Sequence, residues 1–357
     1  MTDWIKIEDC CEILDSQRIP IKSSERKAGP YPYYGANGIQ DHVDDFIFDD
    51  ELVLLAEDGG NFNSKDKPIA YRVSGKCWVN NHAHVLKPKN NIDVDYLCYS
   101  LMYYKVDGII NGATRQKLTQ SSMRKMKIPK RDLKEQHRIT QKLKTIQDIK
   151  EKYQQEKNKL EYLVKARFVE MFGDVVINSK KWSVYKMSDI TESRLGKMLD
   201  KKQQTGKNLF PYLANFNVQW FQFDLKELNE MDFDEADQKE FKLEEGDILV
   251  CEGGEIGRCA VWHNQIKNCF FQKALHRIRC NKEYILPDYL SWWFKLSCEN
   301  HAFDSVAGAK ATIAHLPGVK LKKLDVVVPP LDLQKKFVSI LSQIDKSKFL
   351  YLRKDML

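Results

Sequence analysis

The chain has 357 residues, 43% hydrophobic and 11% aromatic, a composition that excludes a disordered protein and leaves room for two or three cores. The net charge is a modest +7, no apolar run approaches the length of a membrane span, and the N-terminus lacks the basic-then-apolar order of a signal peptide. Nine cysteines, none in a C-x-x-C pair, argue against a disulfide framework and for reduced thiols in a cytoplasm.

In chain order the sequence begins with a mixed region, 1–112, rich in short strands. Phe46-Ile47-Phe48, Leu52–Ala56, Ala70–Val73 and Ala83–Leu86 are separated by Asp, Gly and Asn clusters. A helical region follows near 134–171, uninterrupted by Gly or Pro from Leu133 to Phe172. Ile139, Leu143, Ile146, Tyr153, Leu160 and Val164 follow alternating three- and four-residue steps, and Lys150 and Lys157 fill the missing seam positions. That is an amphipathic helix with coiled-coil character, roughly 57 Å long at 1.5 Å per residue, with Gly173 as its stop. A second mixed region, 172–310, offers strands at Asp247–Cys251, Cys259–Trp262 and Leu275–Ile278. A terminal helix near 332–357 repeats the seam as Phe337, Leu341 and Ile344.

Charge is concentrated. Residues 113–170 hold 17 Lys and Arg against 7 Asp and Glu, an excess larger than that of the whole chain. A focused basic zone suits an anionic polymer, although a lysine-rich solvated helix gives the same count.

The pattern has a second layer. Residues 113–147 recur without a gap 198 positions on, as 311–345. Ala113-Thr114, Leu118, Lys125, Leu133, Gln136 and Leu143 answer to Ala311-Thr312, Leu316, Lys323, Leu331, Gln334 and Leu341. Echoes with shifting offsets link Tyr31-Pro32-Tyr33-Tyr34 to Phe210-Pro211-Tyr212-Leu213, Leu55–Gly59 to Val250–Gly254, and Asp95-Tyr96-Leu97 to Asp288-Tyr289-Leu290. So long a period is a duplicated domain and not a solenoid unit. The expected fold is α+β: two similar mixed α/β domains and two long helices, antiparallel if the halves are related by a pseudo-two-fold axis. The boundaries are 1–133 for the first domain, 134–172 for the central helix, 173–331 for the second domain and 332–357 for the last helix.

Tyr31–Ile39, Asp44–Phe48, Leu54–Gly59, Gly112-Ala113-Thr114 with Gln116-Lys117-Leu118, and Glu135–Ile139 stand in an order that resembles the specificity subunit of Type I restriction–modification systems. Met171-Phe172-Gly173-Asp174 with Trp182, Gly246–Val250, and Val326–Leu331 ahead of Gln334 continue the resemblance over essentially the whole chain. One departure is Asp332-Leu333-Gln334 where the first copy has Lys134-Glu135-Gln136. The resemblance implies two target-recognition domains, each reading half of a gapped bipartite site in double-stranded DNA. It implies helices that set the gap and dock two methyltransferase subunits, with ATP-dependent translocase and nuclease subunits joining the full complex.

The chemistry of such a complex is not written in this chain. The only Pro-Pro, Pro329-Pro330, lacks the Asn or Asp and the aromatic of an amino-methyltransferase loop, and no phosphate-binding G-x-x-x-x-G-K-[ST] occurs. Cys251, Cys259, His263 and Cys269 have no zinc spacing. A non-catalytic subunit without metal or cofactor is expected. Base edges are read by flat polar groups and phosphates by cations. Tyr33, Tyr34, Asn37, Asn61 and Asn63 in the first domain, and Asn215, Asn217, Gln219 and Trp220 in the second, are the candidate readers. Arg115 and Arg258 are candidates for guanine or phosphate, and Lys65, Arg115, Lys117 and Lys310 for phosphate. Taken singly, each is as well explained as a turn former or core aromatic. Three other readings are weighed: a recognition subunit of a Type II system, a restriction enzyme with its own methyltransferase, and a coiled-coil protein that never touches DNA.

Overall fold

The computed structural model describes residues 3–64, 66–112, 116–200, 204–303 and 315–354, the last ten by backbone alone. The chain forms two compact units, Met1–Gln155 and Glu156–Leu357. The first runs β1 (Trp4–Lys6), α1 (Ile7–Cys10), β2 (Cys11–Ile13), β3 (Ala28–Gly35), β4 (Gly38–Val43), β5 (Phe48–Ala56), β6 (Ala70–Val79) and β7 (Ala83–Pro88). Then come α2 (Val94–Met102), α3 (Gln120–Lys125), β8 (Lys127–Pro129) and α4 (Leu133–Phe172), which continues into the second unit. Six strands make one sheet in the order β2-β7-β5-β6-β3-β4, and β1 pairs with β8.

β5 spans most of what the sequence offers as two separate runs. Its alternation explains why: Phe48, Leu52 and Leu54 join one core cluster, while Val53, Leu55 and Ala56 join another. Both faces of the strand are covered. β3 is hidden from a propensity reading by Pro30 and Pro32. A bulge between Ala28 and Tyr31 takes up the irregularity, and Tyr33 and Tyr34 then pair in parallel with Trp78 and Val79 of β6.

The second unit runs β9 (Ser183–Lys186), α5 (Met187–Ile190), β10 (Thr191–Leu195), β11 (Leu209–Leu213), β12 (Val218–Gln219), β13 (Gln222–Phe223), β14 (Asn229–Asp232) and α6 (Glu235–Phe241). It continues with β15 (Ile248–Cys251), β16 (Cys259–Val261), β17 (Phe270–Phe271), β18 (Leu275–Cys280), α7 (Pro287–Glu299), α8 (Gly318–Lys322), β19 (Asp325–Val328) and α9 (Leu331–Lys354). The frame repeats that of the first unit. The order β10-β18-β15-β16 answers β2-β7-β5-β6, and β9 with β19 answers β1 with β8. β11 lies parallel to β17 through Tyr212 and Phe270, as β3 lies to β6. Where β6 is continuous, its counterpart is split into β16 and β17. Asn264 and Asn268, at φ 54° and 50°, take the left-handed conformation that asparagine tolerates and turn the chain out of the strand.

The long helix begins at Asp132, whose carboxylate accepts the Glu135 N–H at 2.9 Å. It ends at Gly173, φ 78°, whose N–H returns to the Val169 carbonyl at 2.8 Å. Lys180 donates to the Met171 carbonyl at 3.1 Å and the Trp182 indole to that of Phe172 at 3.0 Å. The Met171–Asp174 motif with Trp182 is therefore a helix terminus whose open carbonyls are covered by side chains. The sequence places this helix at 134–171 with Gly173 as its stop; the observed bounds differ by one residue at each end.

In the second unit the end of α4 is built into the core. Phe168 lies 5.4 Å from Tyr289 and 5.2 Å from Phe337, with Phe172 edge-on to both. Leu341 and Ile344 share a groove with Val164 and Leu160. Numbers fall along α4 as they rise along α9, so the two helices run antiparallel here. At the other end Ile139 packs on the core of the first unit. Between these ends every residue from 141 to 159 is exposed. Leu143, Ile146 and Tyr153, expected as packing residues, face solvent at 38%, 62% and 48% exposure, because the cores reach the helix only near its two ends. No helix among the described residues is long and apolar enough to cross a membrane.

Candidate nucleic-acid interface

In each unit a strand end, a turn and a returning segment are tied by the same bonds. β5 runs out into Glu57-Asp58-Gly59, and β15 into Glu252-Gly253-Gly254. Leu118 donates its N–H to the Glu57 carbonyl at 2.7 Å, and Leu316 to that of Glu252 at 2.7 Å. His84 on β7 donates to the Leu118 carbonyl at 2.8 Å, and His276 on β18 to that of Leu316 at 3.0 Å. Asp58 bridges to Lys117 and Gly253 to His315. Finally, Asn37 donates to the Gly59 carbonyl at 2.9 Å, and Asn215 to that of Gly253 at 3.2 Å. The two asparagines chosen from the sequence as readers thus play similar parts one position out of register, each using its amide nitrogen to fix this turn.

The surroundings of the two histidines differ. Both ring nitrogens of His84 face acceptors, since Nδ1 meets the Asp15 carboxylate at 2.7 Å. Asp15 also accepts from the Val85 N–H and Gln120; although burial works against its charge, these donors hold its carboxyl below the ordinary value. Glu57 is held low likewise, with Arg18 at 2.7 Å and Lys117 at 2.9 Å overcoming its burial. Asp15, Glu57 and His84 bring ligand-type atoms within 4.8 Å of one another. Arg18 and Lys117 already pair with its carboxylates, so the cluster is an ion-pair and hydrogen-bond network. Among the described residues no carboxylate is hydrogen-bonded to His276, and burial pushes its pKa down, partly countered by the Leu316 carbonyl and Glu252. The network is invisible in the sequence except through one signal, a histidine at matching places in strands 83–86 and 275–278.

The remaining expected readers separate into inner and outer groups. Tyr33 is 1% exposed, with Arg26 4.2 Å over its ring and its hydroxyl bonded to the Ile21 backbone. Asn217 is buried too; it accepts from Ala214 and donates to the carbonyls of Asp224 and Glu227 at 2.9 to 3.0 Å. Neither can reach a base, a correction to the sequence reading: both hold the scaffold. Tyr34 is half-buried against Tyr71, Asn61 donates to the Pro68 carbonyl, and Gln219 donates to that of Phe216. Arg258 is half-buried and donates to the Asn215 carbonyl at 3.2 Å. Trp220 donates to Glu255 at 2.5 Å. Asn37, Asn63 and Lys117 are exposed. Phe216, 54% exposed at the tip beside Asn215, is a surface aromatic that the sequence reading passes over as part of an Asn-rich turn. Lys65, Arg115 and Lys310 lie outside the described residues.

Around this common frame the connections differ. Residues 57–69 link β5 to β6, whereas the shorter stretch 252–258 links β15 to β16. The first unit passes from β3 to β4 through Ala36 and Asn37 alone, while the second inserts the β12–β13 hairpin between β11 and β14, and α6 after it.

A family model for the Type I restriction modification DNA specificity domain matches residues 1–162 and 179–353 of this chain. A protein of Haemophilus influenzae named as a type I restriction enzyme specificity subunit is 28% identical over 350 residues, covering 96% of this chain and 87% of its own. The MjaX specificity subunit named from Methanocaldococcus jannaschii is 26% identical over 168 residues, 46% of this chain and 39% of its own. The crystal structure of a Type I restriction–modification S subunit from M. genitalium shares the fold, with a TM-score of 0.61 at 13% identity over 99% of this chain and 92% of that one.

Proposed function

Because the chain belongs to the specificity subunits of Type I restriction–modification systems, with two DNA specificity domains, we propose that each domain reads one half of a gapped DNA site and that α4 sets the gap. The domains are 1–133 and 173–331, and the helices 134–172 and 332–357. The subunit itself carries no chemistry; methyltransferase subunits, two by the pseudo-symmetry, dock on the helices, and translocase and nuclease subunits complete the assembly in the cytoplasm. One observation carries this reading: the same frame, with Leu118 and Leu316 tied to the Glu57 and Glu252 carbonyls and to His84 and His276, recurs in both units, while the connections it supports differ in length and content. A constant frame with variable turns is what two readers of different sequences require.

Asn37, Asn63 and Lys117 in the first domain, and Phe216, Gln219 and the rim of Arg258 in the second, form the proposed surface. The chain assembled with its methyltransferase subunits should methylate random duplexes at two short specified blocks separated by a fixed gap. A single ungapped consensus, or none, overturns the reading.

A further inference from the structure

The β12–β13 hairpin has strands of two residues each, too few to hold a shape by themselves. Its turn is Trp220-Phe221, and Phe221 has φ 62°, a conformation that a bulky residue keeps only where its surroundings impose it. Those surroundings are α7 and the start of β16. The Phe221 ring stacks on Trp292 of α7 at 4.4 Å and 19°, and its N–H donates to the Cys259 carbonyl at 3.0 Å. Trp292 in turn meets Phe337 of α9 edge-on at 6.3 Å.

Three residues further along α7, Lys295 places its ammonium 4.7 Å from the centre of the Trp220 ring. The same ammonium lies 3.3 Å from Glu299 and 3.8 Å from Glu161 on α4, and Glu299 also pairs with Lys165 of α4 at 2.6 Å. On its far side Trp220 donates to Glu255, which pairs with Arg258 at 3.4 Å, and Arg258 holds the Asn215 carbonyl. An unbroken series of contacts therefore joins α4 to the hairpin turn and to the 252–258 connection.

We propose that Lys295 is a positioning residue for DNA reading by the second domain, clamping the Trp220-Phe221 turn to α4 and α7 so that Phe216 and Gln219 are presented in one fixed orientation. This rests on the reading that the domain recognises a half-site. The first domain has no such hairpin and needs no such clamp. A ring face held by a cation resists tilting, and loss of the cation leaves the hairpin attached through Phe221 but free to rock. Discrimination then falls while the DNA-facing surface persists.

The test uses the full chain with its methyltransferase subunits and duplexes carrying every single substitution in both blocks. Trp220→Ala identifies the half-site that the hairpin serves. Lys295→Met is expected to reduce the matched-to-mismatched methylation ratio at that half-site roughly tenfold and leave the other half-site unchanged. Lys295→Arg, whose guanidinium also covers a tryptophan face, restores the ratio, and Trp220→Ala with Lys295→Met is no worse than the poorer single variant. The proposal is overturned if Lys295→Met leaves both half-sites as sharp as before, blunts both equally, or adds fully to Trp220→Ala. Should Lys295→Met fail to fold, Trp220→Leu removes the ring without touching the helices and must give the same one-sided blunting. A wild-type complex that ignores one block overturns the half-site reading and the clamp together; wild-type discrimination untouched by these variants overturns the clamp alone.

Discussion

Gln136 and Gln334 occupy one position twice. Each stands at the start of a long helix, fully buried, and each makes the same three bonds to backbone. Gln136 accepts from the Asp93 N–H at 2.8 Å and donates to the carbonyls of Asn91 and Arg131 at 2.9 Å. Gln334 accepts from the Leu286 N–H at 2.9 Å and donates to the carbonyls of Tyr284 and Pro329 at 3.0 and 2.8 Å. Tyr96 and Tyr289 repeat the theme, donating to the Pro129 and Val327 carbonyls at 2.7 Å. The glutamine amide joins the helix, the loop before α2 or α7 and the loop after β8 or β19 at one point.

Gln136→Ala or Gln334→Ala should therefore be among the costliest polar truncations in the chain. Each removes the side-chain partner of three backbone groups, at about 1–3 kcal/mol for each group that water cannot reach. Urea denaturation with hydrogen exchange should show the first variant loosening the first unit and the second variant loosening the second. Equal loss of protection in both units by either variant contradicts this.

Asn63→Ala and Phe216→Ala should leave the thermal midpoint unchanged and each relax a different half-site, by about 1–3 kcal/mol for each base pair that is no longer discriminated. Asn217→Ala should do the opposite, lowering the midpoint by several degrees, since it removes three bonds made by a buried side chain. Methylation profiling alongside melting curves separates the two outcomes.

Acid should weaken the second unit through His276. Burial lowers its pKa in the folded state below the ordinary 6.5, only partly countered by the bond to the Leu316 carbonyl. The unfolded chain then takes up a proton that the folded chain refuses, so the stabilisation is complete above about pH 6.5 and is lost as pH falls. The stability of His276→Gln should depend less on pH between 7.5 and 5, by one proton's slope. An unchanged slope counts against the assignment.

Much of this could be read from residues alone, and the parts that could not have definite causes. α4 was legible because its seam and its lack of Gly or Pro are local properties. The duplicated frame was legible because Gln136, Leu118 and Tyr96 recur with chemistry intact. The side of a turn on which an asparagine works is not local. Asn37, Asn215 and Asn217 look alike in sequence, and only the neighbouring strand ends decide that the first two donate to a glycine carbonyl and the third is enclosed. Similarly, β3 was hidden by its prolines, and α6 lies in an insertion with no echo in the first half. The cluster of Asp15, Glu57 and His84 gathers residues scattered over much of the first unit, which no spacing rule connects.

Adding or removing one heptad within 141–159 should change the gap between the methylated blocks by at most about three base pairs, from roughly 10 Å of helix against 3.4 Å per base pair. The blocks themselves should stay as they were. Mapping the methylated motif of each length variant checks this, and a changed block refutes it.

That bare middle of α4 has an evolutionary side. A segment enclosed by neighbours can change length only if the neighbours move as well. Here nineteen consecutive residues are exposed, with Gln147 bonded to Tyr99 of α2, and the segment is rich in helix-forming Lys, Gln, Glu, Leu and Ile. None of these residues belongs to either hydrophobic core, so an insertion or deletion here leaves both cores intact. On the proposed role of α4, the distance between the two words would drift separately from the words, and a lineage would acquire a new recognition sequence without inventing a new reader.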